Sequence, residues 1–280
     1  MTAPAILDVA ELAVSFASPQ GIVRAVRGIS FSVGREKLGI VGESGSGKSM
    51  TGRAILKLTP PAAQVSARRL RFHDIDLLAA NERAMRRIRG ARIGMILQDP
   101  KYALNPVQTV GRQISEAFRI HRNASRAEAK DRTLAMLDAV RIRNPARVFD
   151  LYPHEVSGGM GQRIMIAMML IPEPDLLIAD EPTSALDVTV RLSVLRILDE
   201  QIGARGLGLI FISHDLNLVA TFCDRVLIMY AGRVVESLAA GALHEARHPY
   251  TRGLLESLPR PDRPRATLPV LTRDPAWLDA

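Results

Sequence analysis

Gly42-Glu43-Ser44-Gly45-Ser46-Gly47-Lys48-Ser49 fits G-x-x-x-x-G-K-[ST], the spacing of a phosphate-binding loop. The glycines let the backbone wrap closely, so that successive N–H groups turn toward phosphate oxygens. A helix starting behind the loop adds the partial positive charge of its N-terminus. Lys48 can reach β- and γ-phosphates, the Ser49 hydroxyl can complete the shell of a Mg²⁺ ion, and Met50 closes the nucleotide-facing stretch. A glycine-rich turn that binds nothing shares this pattern. Later stretches decide between the two.

Leu176-Leu177-Ile178-Ala179 is an apolar strand that delivers Asp180 and Glu181 at its C-terminal end. Parallel α/β sheets hold their ligands at that edge. Asp180 is suited to hold Mg²⁺, and Glu181, one residue on, to orient or deprotonate an attacking water. Gln98 also follows a buried strand, where its amide could contact Mg²⁺ and the water near the γ-phosphate. His214, after the apolar run from Leu207, could donate a hydrogen bond to that phosphate. Ser157-Gly158-Gly159-Met160-Gly161-Gln162 precedes the apolar helix Ile164–Leu170 and forms a second anion-seeking helix end, without a lysine. Its simplest use is to close on a nucleotide held by another subunit. Each feature also has a bland account: solvated acids, a loop glutamine, a surface histidine, a capped helix. Met165, Met168 and Met169 read as core filler.

Positioning these groups requires a particular order of elements. Leu38-Gly39-Ile40-Val41 predicts the buried strand before the loop, and Ala54–Leu58 begins a helical pattern after it. Residues 6–33 alternate (Leu12, Val14, Phe16, then Ile29, Phe31, Val33) around a turn at Gly21, which predicts antiparallel strands. Residues 68–76 suggest a short strand, followed by an arginine-rich helix to about Arg89, and Ile93–Leu97 suggests another strand. From about 100 to 171 the texture is helical, with a capping box at Ser125-Arg126-Ala127-Glu128. Strands at Asp175–Ala179, Leu207–Ile212 and Arg225–Tyr230 then alternate with helices at about Val188–Ile202 and Leu216–Phe222. That rhythm predicts a parallel sheet into which the helical segment is inserted. Arg260–Arg265, rich in proline, reads as a loose tail.

Composition bounds the class. The 47% hydrophobic content of 280 residues supports one α/β domain with modest appendages. No apolar run approaches the roughly 18 residues that cross a bilayer, and the N-terminus, with Asp8 and Glu11, has no basic-then-apolar leader. A soluble cytoplasmic protein is the expectation. Cys223 stands alone, which excludes an internal disulfide. The net charge of +8 is concentrated in arginine clusters at 68–71, 83–92 and 260–265 that no aromatic residues interleave. Solvated helix faces account for them first, attraction to anionic lipid second, and nucleic acid third.

In this order, the stretches resemble the ATP-binding subunits of ABC transporters across about residues 6–245. Gly42–Ser49 looks like Walker A and Gln98 like the Q-loop. Ser157–Gln162 looks like the signature, and Leu176–Asp180 like Walker B with Glu181 following. Ser184-Ala185-Leu186-Asp187 resembles the D-loop, and His214 the switch histidine. Phe16 occupies the place where the family stacks an aromatic ring on adenine, though a strand core residue is an equal account of it. Leu104-Asn105-Pro106, Met160 with Gln162-Arg163, and His248-Pro249-Tyr250-Thr251 are similar to the dipeptide/oligopeptide/nickel importer branch. The chain departs from that branch at Gly161, where arginine is common, and it cannot form the C-terminal cysteine cluster of some relatives.

The resemblance implies a P-loop NTPase core with a parallel sheet, an N-terminal antiparallel β subdomain and an inserted helical subdomain. The ATP-binding domain would span 1–245, with an extension and tail at 246–280. It implies ATP and Mg²⁺ as ligands, Glu181, Lys48, Gln98 and His214 in catalysis, and Ser157, Gly158, Gly159 and Gln162 against a nucleotide. It further implies a second ATP-binding subunit, identical or related, two membrane permease subunits and an external solute-binding protein. The subunit would sit peripherally on the cytoplasmic face of the membrane, without a nucleic-acid partner. The function implied is ATP hydrolysis that powers a membrane importer of di- or oligopeptides or of nickel; the alternative is a non-transport ABC ATPase acting on nucleic acid or ribosomes.

Overall fold

The computed structural model describes residues 5–19, 21–184, 186–258 and 277. In chain order the first elements are β1 (Leu7–Ser18), β2 (Gly21–Val33), β3 (Lys37–Val41), α1 (Lys48–Ile55), β4 (Ala63–Ser66), β5 (Arg69–Phe72) and β6 (Ile75–Asp76). There follow α2 (Glu82–Ile88), β7 (Ile93–Ile96), α3 (Pro100–Ala103), α4 (Val110–His121), α5 (Arg126–Ala139), α6 (Pro145–Phe149) and α7 (Gly158–Leu170). The chain continues through β8 (Leu176–Asp180), α8 (Val188–Arg205), β9 (Gly208–Ser213), α9 (Leu216–Phe222), β10 (Arg225–Tyr230), β11 (Arg233–Ala239) and α10 (Pro249–Glu256). Two compact units result: Met1–Ala79 with Ile210–Ala280, and Ala80–Leu209.

In the first unit, β1 is the centre of an antiparallel sheet, flanked by β2 on one side and by β4 and β5 on the other. Its register sets Val9 opposite Phe31 and Val14 opposite Val26, and all four side chains are buried. The alternation expected of residues 6–33 is the inward face of this pair. A second set of strands holds β3 parallel to β10, with Ile40 opposite Leu227. β11 returns antiparallel to β10 through a turn at Ala231 (φ 45°) and Gly232 (φ 85°). Both central residues of this two-residue hairpin are left-handed, as a tight primed turn requires. Neither β11 nor β4 was expected from the sequence. Ala-Gly is not the usual signal for such a turn, and neither strand is deeply buried.

Ala54–Leu58 does not begin the helix after the loop. α1 starts at Lys48 and ends at Ile55, and Lys57 already has φ 51°. Gly47, left-handed at φ 98°, turns the loop directly into the first helical residue. The apolar residues Ile55 and Leu56 are buried at the C-terminus of α1 rather than along a new helix.

In the second unit, β7 and β8 run parallel, with Ile93 opposite Leu176 and Ile96 opposite Ala179. Every residue of both strands is buried, which explains why they read as continuous apolar runs. The region 100–171 is helical as expected. Thr109, Ser125 and Ser157 cap α4, α5 and α7 by accepting from the N–H of Arg112, Glu128 and Met160. Gly111 of α4 lets the Phe149 ring approach: a Cβ there would lie 2.2 Å from it. α8 runs to Arg205, three residues beyond the expected Ile202, and Gly206 (φ 62°) caps it. Arginines from two of the three clusters form surface ion pairs, Arg68 with Glu11, Arg69 with Asp8, Arg89 with Glu82 and Arg92 with Asp175. The Arg260–Arg265 tail lies outside the described residues, as does Ala185 of the D-loop stretch.

Candidate functional site

The first unit builds a loop between a buried strand and a helix. β3 delivers Gly42 against the end of β10, so closely that a Cβ would stand 2.1 Å from the Met229 carbonyl oxygen. Gly45 (φ 81°) and Gly47 (φ 98°) then take left-handed turns open only to glycine at low cost. The loop is tied down from outside by the N–H of Gly232, which donates to Ser46 O at 3.1 Å. Ser44 and Gly45 stay exposed and, with Glu43, Ser46, Tyr230 and Ala231, line an open cavity of about 170 Å³.

Lys48 is 5% exposed, and its Nζ donates to Gly42 O at 2.7 Å and Glu43 O at 2.8 Å. The ammonium is therefore stored in the loop's own interior. Phosphate oxygens, which carry full charge, would be stronger acceptors for it than these neutral carbonyls. The first turn of α1, with half-buried Ser49 and Met50, contains no acidic residue, so nothing there opposes an anion. The Glu43 N–H is turned to the hydroxyl of Tyr250, at 3.2 Å. His214 is also in this unit, exposed directly after β9. Asp215 behind it caps α9. Phe16 is half-buried in β1, opposite Val23 and Ala63.

The second unit holds the other candidates. Asp180 ends β8 and is 5% exposed. Glu181 follows with φ 47°, a left-handed conformation that a non-glycine residue rarely adopts. Its peptide is held by Ser184, whose hydroxyl donates to Glu181 O at 3.1 Å. Gln98, exposed after β7, donates through Nε2 to Glu181 Oε2 at 3.4 Å. The parallel pairing of β7 with β8 thus brings together an amide and a carboxylate that lie 83 positions apart.

At the start of α7, Ser157 and Gly158 are exposed, while Gly159 packs where a Cβ would meet Val190 at 2.7 Å. Gln162 is placed differently. It is 1% exposed, and its Nε2 has no hydrogen-bond partner among the described residues, so it lies beneath the helix end rather than on its open rim.

A Mg²⁺ ion suits the donors these elements offer. In the second unit the Asp180 carboxylate and the Gln98 amide oxygen are ligands of the kind a hard cation takes, and in the first unit the Ser49 hydroxyl is another. Among the described residues, no three or more His, Cys, Asp or Glu gather into a metal site of their own.

Tyr230, Ala231 and Tyr250 were not legible as neighbours of the loop. Tyr250 stood out only within His248–Thr251, and nothing local tied that stretch to Gly42–Ser49.

The ABC transporter family matches the chain over residues 26–184. A probable peptide ABC transporter ATP-binding protein of Sinorhizobium fredii is 50% identical over 257 residues, 91% of this chain and 77% of the relative. A probable D,D-dipeptide transport ATP-binding protein of Escherichia coli is 44% identical, over 97% of this chain and 83% of the relative. An oligopeptide transport ATP-binding protein of Bacillus subtilis is 46% identical, over 91% of this chain and 72% of the relative. Among solved structures, a dimeric bacterial ABC transporter cassette shares the fold with a TM-score of 0.75 at 24% identity, covering 84% of this chain and 98% of that one. CbiO1 of Clostridium perfringens, part of the ABC transporter complex cbiONQ, aligns with a TM-score of 0.73 at 26% identity, over 86% of this chain and 91% of that one.

Proposed function

The chain belongs to the ABC transporter family, and from that premise we propose that it binds and hydrolyses ATP to power the import of peptides across a membrane. The observation that carries the reading is the loop at Gly42–Ser49, a buried ammonium inside a glycine-turned cradle at a helix N-terminus, in a chain whose relatives are named for peptide transport. The alternative, a non-transport ATPase working on nucleic acid or ribosomes, finds no support in those names.

The assignment of parts follows from the chemistry. The loop amides, the start of α1 and Lys48 bind the β- and γ-phosphates, with Phe16 available to the adenine ring. Ser49, Asp180 and Gln98 would hold a Mg²⁺ ion, whose positive charge would stabilise the transferring phosphoryl group. Glu181, oriented by Gln98, accepts a proton from water as the water oxygen bonds to the γ-phosphorus. The bond to the β–γ bridging oxygen breaks, giving ADP and phosphate. His214 steadies the γ-phosphate by donating a hydrogen bond. Ser157, Gly158 and Gly159 serve the nucleotide of a second ATP-binding subunit, since one chain carries two anion-seeking helix ends and only one has a lysine.

Among the described residues, no helix is long and apolar enough to cross a membrane. Work on a membrane substrate then needs permease partners, to which we assign the helical region 100–171, with an external binding protein selecting the solute. The subunit sits peripherally on the cytoplasmic face.

Two variants test the reading. Glu181→Gln keeps size and hydrogen bonding but removes the base, so MgATP binds, persists and holds a dimer together by linkage. Sedimentation with and without MgATP reads this directly. Ser157→Arg leaves ATP binding intact and abolishes turnover. Full turnover by Ser157→Arg as a dilute monomer refutes the two-subunit mechanism.

A further inference from the structure

We infer that Tyr250, on the C-terminal helix α10, is a positioning residue for the phosphate loop, acting through the backbone N–H of Glu43. The inference rests on the reading of Gly42–Ser49 as the ATP-binding loop. The family match ends at residue 184, well before Tyr250.

The placement is built from β11 outward. The Glu236 carboxylate accepts from the N–H of Arg247 at 2.7 Å and of His248 at 3.3 Å, which anchors the start of α10 to the edge strand. His248 then caps the helix, its Nδ1 accepting from the Tyr250 N–H at 3.1 Å. Pro249 takes the first helical position, where its missing N–H costs nothing. His248-Pro249-Tyr250 is therefore a cap, a starter and a side chain delivered inward.

Tyr250 is fully buried, with 0% exposure. Its ring centroid lies 4.5 Å from that of Tyr230, at the end of β10, and the Trp277 ring packs edge-on against both. A buried tyrosine needs a partner for its hydroxyl, and this one accepts from the Glu43 N–H at 3.2 Å. The carbonyl of the same residue accepts from Lys48 Nζ at 2.8 Å. Glu43 is thus held from both sides, its N–H by the C-terminal helix and its oxygen by the lysine of the site.

This fixes where the loop's phosphate-facing amides begin. The Glu43 N–H is spent on Tyr250, so the inward-turning amides start at Ser44. The entry of the loop stays in register with β3 and β10 while Lys48 exchanges its carbonyl acceptors for phosphate oxygens. Without the hydroxyl, the Glu43 N–H loses this hydrogen bond, and the entry of the loop is held less firmly before nucleotide binds.

Tyr250→Phe keeps the ring and removes only the hydroxyl. In the full chain, the dissociation constant for MgATP rises about two- to tenfold, the span of one hydrogen bond. Turnover at saturating MgATP stays unchanged. Amide hydrogen exchange at Glu43 accelerates, while the amides of β3 hold. Wild type and Lys48→Ala are titrated beside it. Wild type that binds no MgATP overturns the ATP reading and this inference together. Wild type that binds, Lys48→Ala that does not, and Tyr250→Phe that matches wild type overturn this inference alone. A Tyr250→Phe chain whose β3 amides exchange as much faster as the Glu43 amide also overturns it, because the hydroxyl then supports the fold at large rather than the loop entry.

Discussion

Gly42→Ala tests whether the loop's shape is imposed by the strand it leans on. A Cβ at this position would stand 2.1 Å from Met229 O and 2.8 Å from Ser46 Oγ. The serine hydroxyl can rotate away, but the carbonyl cannot. Met229 lies within β10, where its backbone pairs with Val234 of β11. A carbon–oxygen contact settles at about 3.3 Å, so the loop must retreat by roughly 1 Å. That moves Gly42 O, which Lys48 Nζ holds at 2.7 Å, and with it the lysine. A misplacement of this size is worth up to about a hundredfold in a preorganised site. Gly45→Ala is the control, because nothing lies within 4 Å of its Cβ and only the φ of 81° resists the substitution. That strain costs about 1–2 kcal/mol, some 5- to 30-fold if all of it falls on binding. Calorimetric titration with MgATP, on proteins of verified melting temperature, should therefore rank wild type above Gly45→Ala above Gly42→Ala. Wild-type affinity in Gly42→Ala, or greater damage from Gly45→Ala, refutes the reasoning.

Gly111→Ala pushes a methyl group into the Phe149 ring, 2.2 Å away. Chemical denaturation should show a loss of about 1–3 kcal/mol, with MgATP affinity preserved. Burial pushes the Cys223 thiol up from 9.0 to about 12, so native protein at pH 8 should resist iodoacetamide and react only once unfolded. Because the folded value is the higher one, this thiol stabilises the fold below about pH 9 and loses that contribution as pH rises toward 12. Cys223→Ala should flatten that part of the stability–pH curve. In that background, single cysteines at Tyr102 and Val107, 88% and 78% exposed, should crosslink to cytoplasmic loops of a permease partner. Crosslinks arising only from the opposite face of the protein remove region 100–171 from the coupling role.

What the sequence determined alone is local. Strand β10 and helix α9 fall on the expected residues, because a buried parallel strand is a short apolar run and Asp215 caps the helix that follows. The loop at Gly42–Ser49 was legible because its glycines satisfy backbone requirements within eight residues. The start of α1 was misplaced because side-chain pattern carries no record that Gly47 turns straight into a helix. Strand β11 was missed because its hairpin uses Ala231-Gly232. Other features depended on partners far away in the chain. Gln98 meets Glu181 only because β7 pairs with β8, and Gln162 looked available until packing buried it. Tyr250 reaches Glu43 across 207 positions, through β11, β10 and β3 in turn. Hydrophobic periodicity records which residues are buried, but not against what. Strand order and register, which exist only in three dimensions, made the tyrosine a neighbour of the loop.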